Sequence, residues 1–175
     1  LEAFKTYLAE DVGLPAPRRL RKIIANINEL EQMRRDNRLQ DLISPANNRA
    51  REMVWSIVEG QQLTTIFAGL QGYNPSVLKR LLPRALKGPL EPTDEDSGKS
   101  TNKPRNILFE LLLGAQFRRA NFDVELGGEA DLQFDHAGAR LYIECKRPFV
   151  EKTIRENVSK ARQQLQQRLK KRCAR

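Results

Sequence analysis

Two short runs late in the chain alternate apolar and polar side chains with a period of two, and this pattern constrains the fold more tightly than any other. The first is Glu129-Ala130-Asp131-Leu132-Gln133-Phe134-Asp135 and the second is Leu141-Tyr142-Ile143-Glu144-Cys145-Lys146-Arg147-Pro148. Between them His136-Ala137-Gly138-Ala139 predicts a tight turn, so the two runs should form an antiparallel hairpin. In that hairpin Leu132, Phe134, Leu141, Ile143 and Cys145 share the apolar face. Asp131, Gln133, Asp135, Tyr142, Glu144 and Lys146 share the other. Asp131 and Glu144 then stand close together with the Lys146 ammonium beside them. A pair of carboxylates so placed suits a hard divalent cation.

The neighbouring sequence supplies two helices and a further strand. Asn106 to Ala115 is predicted helical, with Glu110 at the margin of its apolar face. Phe122 to Leu126, Ala130 to Asp135 and Arg140 to Lys146 are predicted strands, and Glu151 to Arg172 a closing helix. The fold class expected is α/β (α+β), with the order αβββα.

That order, carrying Asp131 on one strand and Glu144-Cys145-Lys146 on the next, resembles the PD-(D/E)XK nuclease superfamily, the restriction-endonuclease-like fold. The resemblance spans roughly residues 104–168. Ala130 stands where that family's name-giving Pro would be, and no fourth strand follows the last helix, so the core would be truncated. The resemblance implies a metal-dependent nuclease that hydrolyses phosphodiester bonds, in DNA rather than RNA, endonucleolytically. It implies Mg²⁺ or Mn²⁺ held by Asp131, Glu144 and the main-chain carbonyl of Cys145, with Glu110 available for a second metal or a metal-bound water. Lys146 would orient the attacking water or stabilise developing negative charge. Glu129 and Asp135 flank Asp131 at two-residue spacing and compete for its role. The competing expectation is a catalytically inactive nucleic-acid-binding or assembly module of the same fold.

In the closing helix Ile154, Val158, Ala161, Leu165 and Leu169 form the expected packing stripe. Asn157, Lys160, Gln164 and Lys171 form the stripe beside it. Relatives of this fold often reach their active site from this helix with a Gln, which makes Lys160, Gln164 and Lys171 candidate nucleic-acid contacts. A solvated polar stripe gives the same pattern, and the Gln-x-x-x-Tyr motif of the exonuclease branch is absent.

Residues 1–87 read as a separate helical region, 88–104 as a linker rich in Pro, Gly, Ser and acidic groups, and 105–175 as the nuclease-like domain. Leu20, Ile23, Ile24, Ile27, Leu30 and Met33 make a helical stripe through Arg18 to Arg35. Ser44-Pro45 predicts the start of a helix whose core side is Met53, Val54, Ile57 and Val58, and Asn74-Pro75 the start of another. These helices can serve a homodimer, a partner protein, nucleic acid or a regulatory ligand. Gly98-Lys99-Ser100 matches the end of a phosphate-binding loop in letters only, since no apolar strand precedes it.

The net charge of +9 is unevenly spread: +5 over residues 1–87, −2 over 88–103, −1 over 104–150 and +7 over 151–175. Mildly acidic strands between basic flanks fit a metal site beside a phosphate-binding surface, and a nucleic-acid partner. Two cysteines and a single histidine leave no room for a disulfide framework, a zinc cage or a histidine triad. No run of about 20 apolar residues is available to span a bilayer. No secretory leader pattern opens the chain, and a reducing cytoplasmic setting is expected.

Overall fold

The computed structural model describes residues 1–43, 49–90 and 103–146, together with a final helix to residue 173 whose side chains are described as far as residue 167. The chain runs α1 (Glu2–Glu10), α2 (Arg18–Arg35), a 3₁₀ turn (Leu39–Ile43), α3 (Ala50–Leu70), α4 (Pro75–Ala85), α5 (Lys103–Arg119), β1 (Glu125–Leu126), β2 (Leu132–His136), β3 (Ala139–Ile143) and α6 (Ile154–Cys173). The class is α+β, helices with one small antiparallel sheet of order β1-β2-β3.

The hairpin forms in the expected register. Leu132 faces Ile143 and Phe134 faces Leu141, which keeps the apolar side chains on one side. His136 and Ala139 close a two-residue turn in which Ala137 and Gly138 both have positive φ, 49° and 77°. Gly carries that geometry without strain; Ala137 accepts it because the strand pairing on either side fixes the turn. Arg140 stitches the sheet together, pairing with Asp135 at 2.8 Å and with Glu125 of the outer strand.

Helix α5 is the spine to which everything else is attached. Its buried residues Ile107, Leu108, Leu111 and Ala115 meet α3 and α4 on one side and the sheet on the other. Gly114 allows the close approach of the strands, since a Cβ there would lie 2.7 Å from Leu126 Cδ2. The resulting core is continuous from Phe4, Leu8 and Leu20 through Leu63, Ile66 and Leu82 to Leu132, Phe134 and Cys145. The expected boundary at 88–104 therefore separates stretches of sequence but not cores: the first 87 residues and the hairpin pack on opposite sides of one helix.

Helix α2 has the predicted bounds, and its stripe begins with Leu20, Ile23 and Ile24 buried. Asn74 caps α4 by accepting the Ser76 N–H at 3.0 Å, with Pro75 at the first helical position. Helix α3 is rotated from expectation. Met53 is buried, but Val54 and Ile57 are 57% and 43% exposed, and the inward face is Met53, Ser56, Glu59, Gly60, Leu63 and Ile66. The predicted start at Ser44-Pro45 lies outside the described residues.

The rotation is explained by what Ser56 and Glu59 meet inside. Asn26 of α2 donates to Ser56 Oγ at 2.8 Å. Glu59 is clamped by two guanidiniums: Arg19 Nε donates to Oε2 at 2.9 Å, and Arg105 Nη1 donates to Oε1. All three side chains are almost wholly buried. The remaining guanidinium donors reach the carbonyls of Lys87, Pro89 and Leu90, and Arg105 also lies over the Trp55 ring at 5.7 Å. Burying two cations and one anion is tolerated because the carboxylate takes both guanidiniums and three backbone carbonyls take further N–H groups. The triad fastens α2, α3 and α5 to the segment that leaves α4.

Aromatic groups of the first region behave as core. Phe67 packs against Phe4 and Tyr7, and Tyr73 accepts the Leu126 N–H at 2.8 Å, joining α4's approach to the sheet. Among the described residues no helix is long and apolar enough to cross a membrane.

Candidate active site at the hairpin

Asp131 stands one residue before β2, and Glu144, Cys145 and Lys146 follow the last residue of β3. The pairing of Leu132 with Ile143 places Asp131 across from Glu144 at the open end of the hairpin. A turn beginning at Gly127, φ 66°, delivers Asp131 there, closed by the Gly127 N–H donating to the Asp131 carbonyl at 3.1 Å. The Cys145 N–H donates to Asp131 Oδ2 at 2.7 Å, which fixes the carboxylate against the opposite strand. Lys146 bridges the pair: its Nζ lies 3.3 Å from Glu144 Oε2 and 3.9 Å from Asp131 Oδ2. The Glu144 side chain is buried, while Asp131 and Lys146 keep about a quarter of their surface in solvent.

Glu110 approaches from α5, one turn before the Gly114 approach to the strands. Its acidity reports where it sits. Burial pushes its pKa up to about 7, the negative charges of Asp131 and Glu144 push the same way, and Lys146 and Arg84 oppose them. The three carboxylates are thus near enough for Glu110 to feel the charge of the other two. The buried Cys145 thiol is pushed up to about 12, by burial first and then by Asp131, Glu110 and Glu144, so it is no nucleophile at neutral pH.

The rival carboxylates sit elsewhere. Asp135 is exposed and engaged by Arg140, and Glu129 is exposed within the Gly127–Asp131 turn. Asp131 is the least exposed of the three, although it precedes β2 while Asp135 lies within it. Among the described residues no group of three His, Cys, Asp or Glu side chains converges tightly enough to hold a metal ion. The donor chemistry nevertheless suits a divalent cation: hard oxygens, more negative than positive charge, and a cation, the Lys146 ammonium, already lodged between the two carboxylates. Asp131, Glu144 and the Cys145 carbonyl are the groups that would hold such an ion.

Helix α6 departs from expectation. A cavity of about 460 Å³ separates it from the hairpin, lined by Glu144 and Lys146 on one side and by Asn157, Val158, Ala161, Arg162 and Leu165 among others on α6. Ile154 and Val158 of the expected packing stripe are 44% and 63% exposed. Asn157 and Gln164 of the polar stripe are the more covered, and Gln164 Oε1 is buried without a hydrogen-bond partner. Lys160 is exposed, stands off this cavity and pairs loosely with Glu156 at 4.0 Å. Lys160 thus does not line this cavity, whereas half-buried Gln164 shares the Asn157–Ala161 side of the helix. The Lys171 side chain lies outside the described residues.

Sequence reading missed one group at the site. Arg84 of α4 is close enough to act on Glu110, and Arg80, one turn earlier, donates from Nη2 to the Gly127 carbonyl at 3.4 Å. Their sequence signal was a helix with basic residues and no acidic ones; its distance along the chain from the hairpin hid the relation. Comparison with known proteins finds no matching family model, no matching curated protein and no matching solved structure.

Proposed function

We propose that the chain is a metal-dependent nuclease of the PD-(D/E)XK type, cutting phosphodiester bonds internally, in DNA rather than RNA, with Mg²⁺ or Mn²⁺ as its cofactor. The observation that carries this reading is the Lys146 ammonium within 3.3 Å of Glu144 and 3.9 Å of Asp131, at the ends of two paired strands and beside Glu110. The αβββα order around it supports the same reading.

Bound at the carboxylates, a divalent cation would acidify a water and draw charge from the phosphate. The protein's own part is positional. Glu144 is held apart from bulk solvent, and Asp131, part-exposed, is held in place by the Cys145 N–H. Lys146 places a positive charge beside any phosphate at these carboxylates, where it meets the oxygen on which charge develops as water adds to phosphorus. The ester P–O bond then breaks and the alcohol leaves with a proton. Glu110, with a pKa near neutrality, can hold or release one there.

A second reading, a nucleic-acid-binding module without catalysis, is favoured by the same ammonium, since it already neutralises part of the carboxylate pair. The two separate in one experiment. Supercoiled plasmid, single-stranded DNA and RNA are incubated with the protein in Mg²⁺, in Mn²⁺ and with chelator. Metal-dependent nicking of DNA that disappears in Asp131→Asn, a change that keeps an oxygen for the Cys145 N–H, supports the nuclease. Intact substrates in every arm, with Mn²⁺ affinity by calorimetry equal in both proteins, would overturn it.

A further inference from the structure

The helical region's contribution to the site is a ridge of positive charge. From Gln71 to Leu90 the chain carries Lys79, Arg80, Arg84 and Lys87 and no Asp or Glu. In α2 and before α3 several basic side chains are met by carboxylates: Lys22 by Glu52, Arg34 and Arg35 by Glu31, Arg49 by Glu29. In α4 the buried face is Leu78, Leu81, Leu82 and Ala85, so Arg80 and Arg84, four residues apart, fall on the opposite, exposed face, and exposed Lys87 follows just past the helix end at Ala85. Arg80 and Arg84 stand about 6 Å apart along the axis at the rise of an α-helix.

The ridge has a direction. At one end Arg80 donates to the Gly127 carbonyl, in the turn that delivers Asp131. Arg84 follows, near Glu110. At the far end Lys87 borders a cavity of about 580 Å³, whose rim also carries Arg18 and Lys22 from the start of α2. Because α4 packs on α5, the helix that bears Glu110, the ridge and the carboxylates are parts of one rigid unit.

We infer that Arg80, Arg84 and Lys87, continued by Arg18, track the phosphate backbone of the nucleic acid leading away from the scissile bond, so that the strand enters over α4 and not along α6. This rests on the nuclease reading for its polarity: an anionic polymer held at a carboxylate site needs cations beside that site, and besides Arg162 of α6 it is α4 that supplies them, through Arg80 and Arg84. Three or four aligned cations fix where the backbone lies and carry no base preference, so the ridge is a positioning surface.

The test measures binding of a short labelled DNA duplex by fluorescence anisotropy over a range of KCl concentrations. It uses the Lys146→Met protein to avoid cleavage. Adding Arg84→Gln and Lys87→Gln should make the log–log salt slope shallower by about 1.8, near 0.9 for each phosphate no longer neutralised, while the melting curve stays put. The matching pair on α6, Lys160→Gln and Lys171→Gln, should leave the slope within about 0.5 of its starting value. An unchanged slope for the α4 pair, or an effect confined to the α6 pair, overturns the ridge; if the unsubstituted protein still cleaves DNA, the nuclease reading survives that result. A slope that depends on α4, with no cleavage in any divalent metal, keeps the ridge and removes the nuclease. Absence of salt-dependent DNA binding overturns both.

Discussion

The molecule holds two clusters of carboxylates and cations, and they are built on opposite terms. In the helical region Glu59 is buried with Arg19 and Arg105, and the donors that its carboxylate does not use end on backbone carbonyls. At the hairpin Asp131, Glu144 and Glu110 share one ammonium, part of the group faces solvent, and Glu110 registers the surplus of negative charge. The first cluster has more cations than anions, all closed off from solvent, and holds helices together. The second has more anions than cations and is partly open, which is what the proposed metal site would need. The sign of the surplus and its exposure separate the two.

The sharpest way to break that contrast is to unfinish the first cluster. Glu59→Gln leaves two buried guanidiniums with no carboxylate, which should cost about 3–5 kcal/mol and lower the melting temperature by roughly 10 °C. A melting curve unchanged within about 2 °C would place the triad among dispensable contacts. At the hairpin the expectation reverses. If the nuclease reading is right, Lys146→Met removes a charge that matters to the transition state, so single-turnover cleavage should fall about 10²-fold or more, while the melting temperature falls by only about 2–6 °C as Glu144 loses its ammonium. Cleavage at the original rate would end the claim that this cluster is catalytic.

The smallest effect comes from relieving the surplus itself. Glu110 has its pKa raised from 4.5 to about 7 in the fold, so the folded chain keeps a proton that the unfolded chain releases as pH rises between these values. Stability is thereby lost over that window and stays reduced above it. Glu110→Gln should raise the melting temperature above pH 7 by about 2–4 °C, since this half-exposed carboxyl is partly screened, and should change it little at pH 4.5. Equal shifts at both pH values would mean that packing, not charge, is responsible.

Which parts of this were legible in sequence follows from the range of the forces involved. The hairpin register was readable because alternation and the Ala137-Gly138 turn are local, and Asp131 could be matched with Glu144 from them alone. The caps were readable for the same reason at Asn74-Pro75. Glu59 was not: a Glu in the middle of a helix is ordinarily solvated, and only Arg19 and Arg105, forty and forty-six residues away, make its burial tolerable. Its inward turn is also what rotated Val54 and Ile57 outward. Arg84 was invisible for a similar reason, since the α4–α5 packing that brings it near Glu110 depends on the tertiary fold. On α6 only Ala161 and Leu165 of the expected apolar stripe are half-covered while Ile154 and Val158 are exposed, because periodicity cannot say how much of a stripe finds something to cover it.

One close approach sets how the molecule comes apart. A Cβ at Gly69 of α3 would lie 2.4 Å from the carbonyl oxygen of Ala115 in α5, so at this crossing the two backbones are nearly in contact. Neither helix can tilt without carrying its dependents: α2 and the Glu59 triad on one side, the strands with Asp131 and Glu144 on the other. Denaturant should therefore dissolve helices and hairpin in one cooperative transition, with coincident midpoints by circular dichroism and by the fluorescence of Trp55. Amide exchange should be slowest around Gly69 and Ala115, making this crossing the last part of the fold to open.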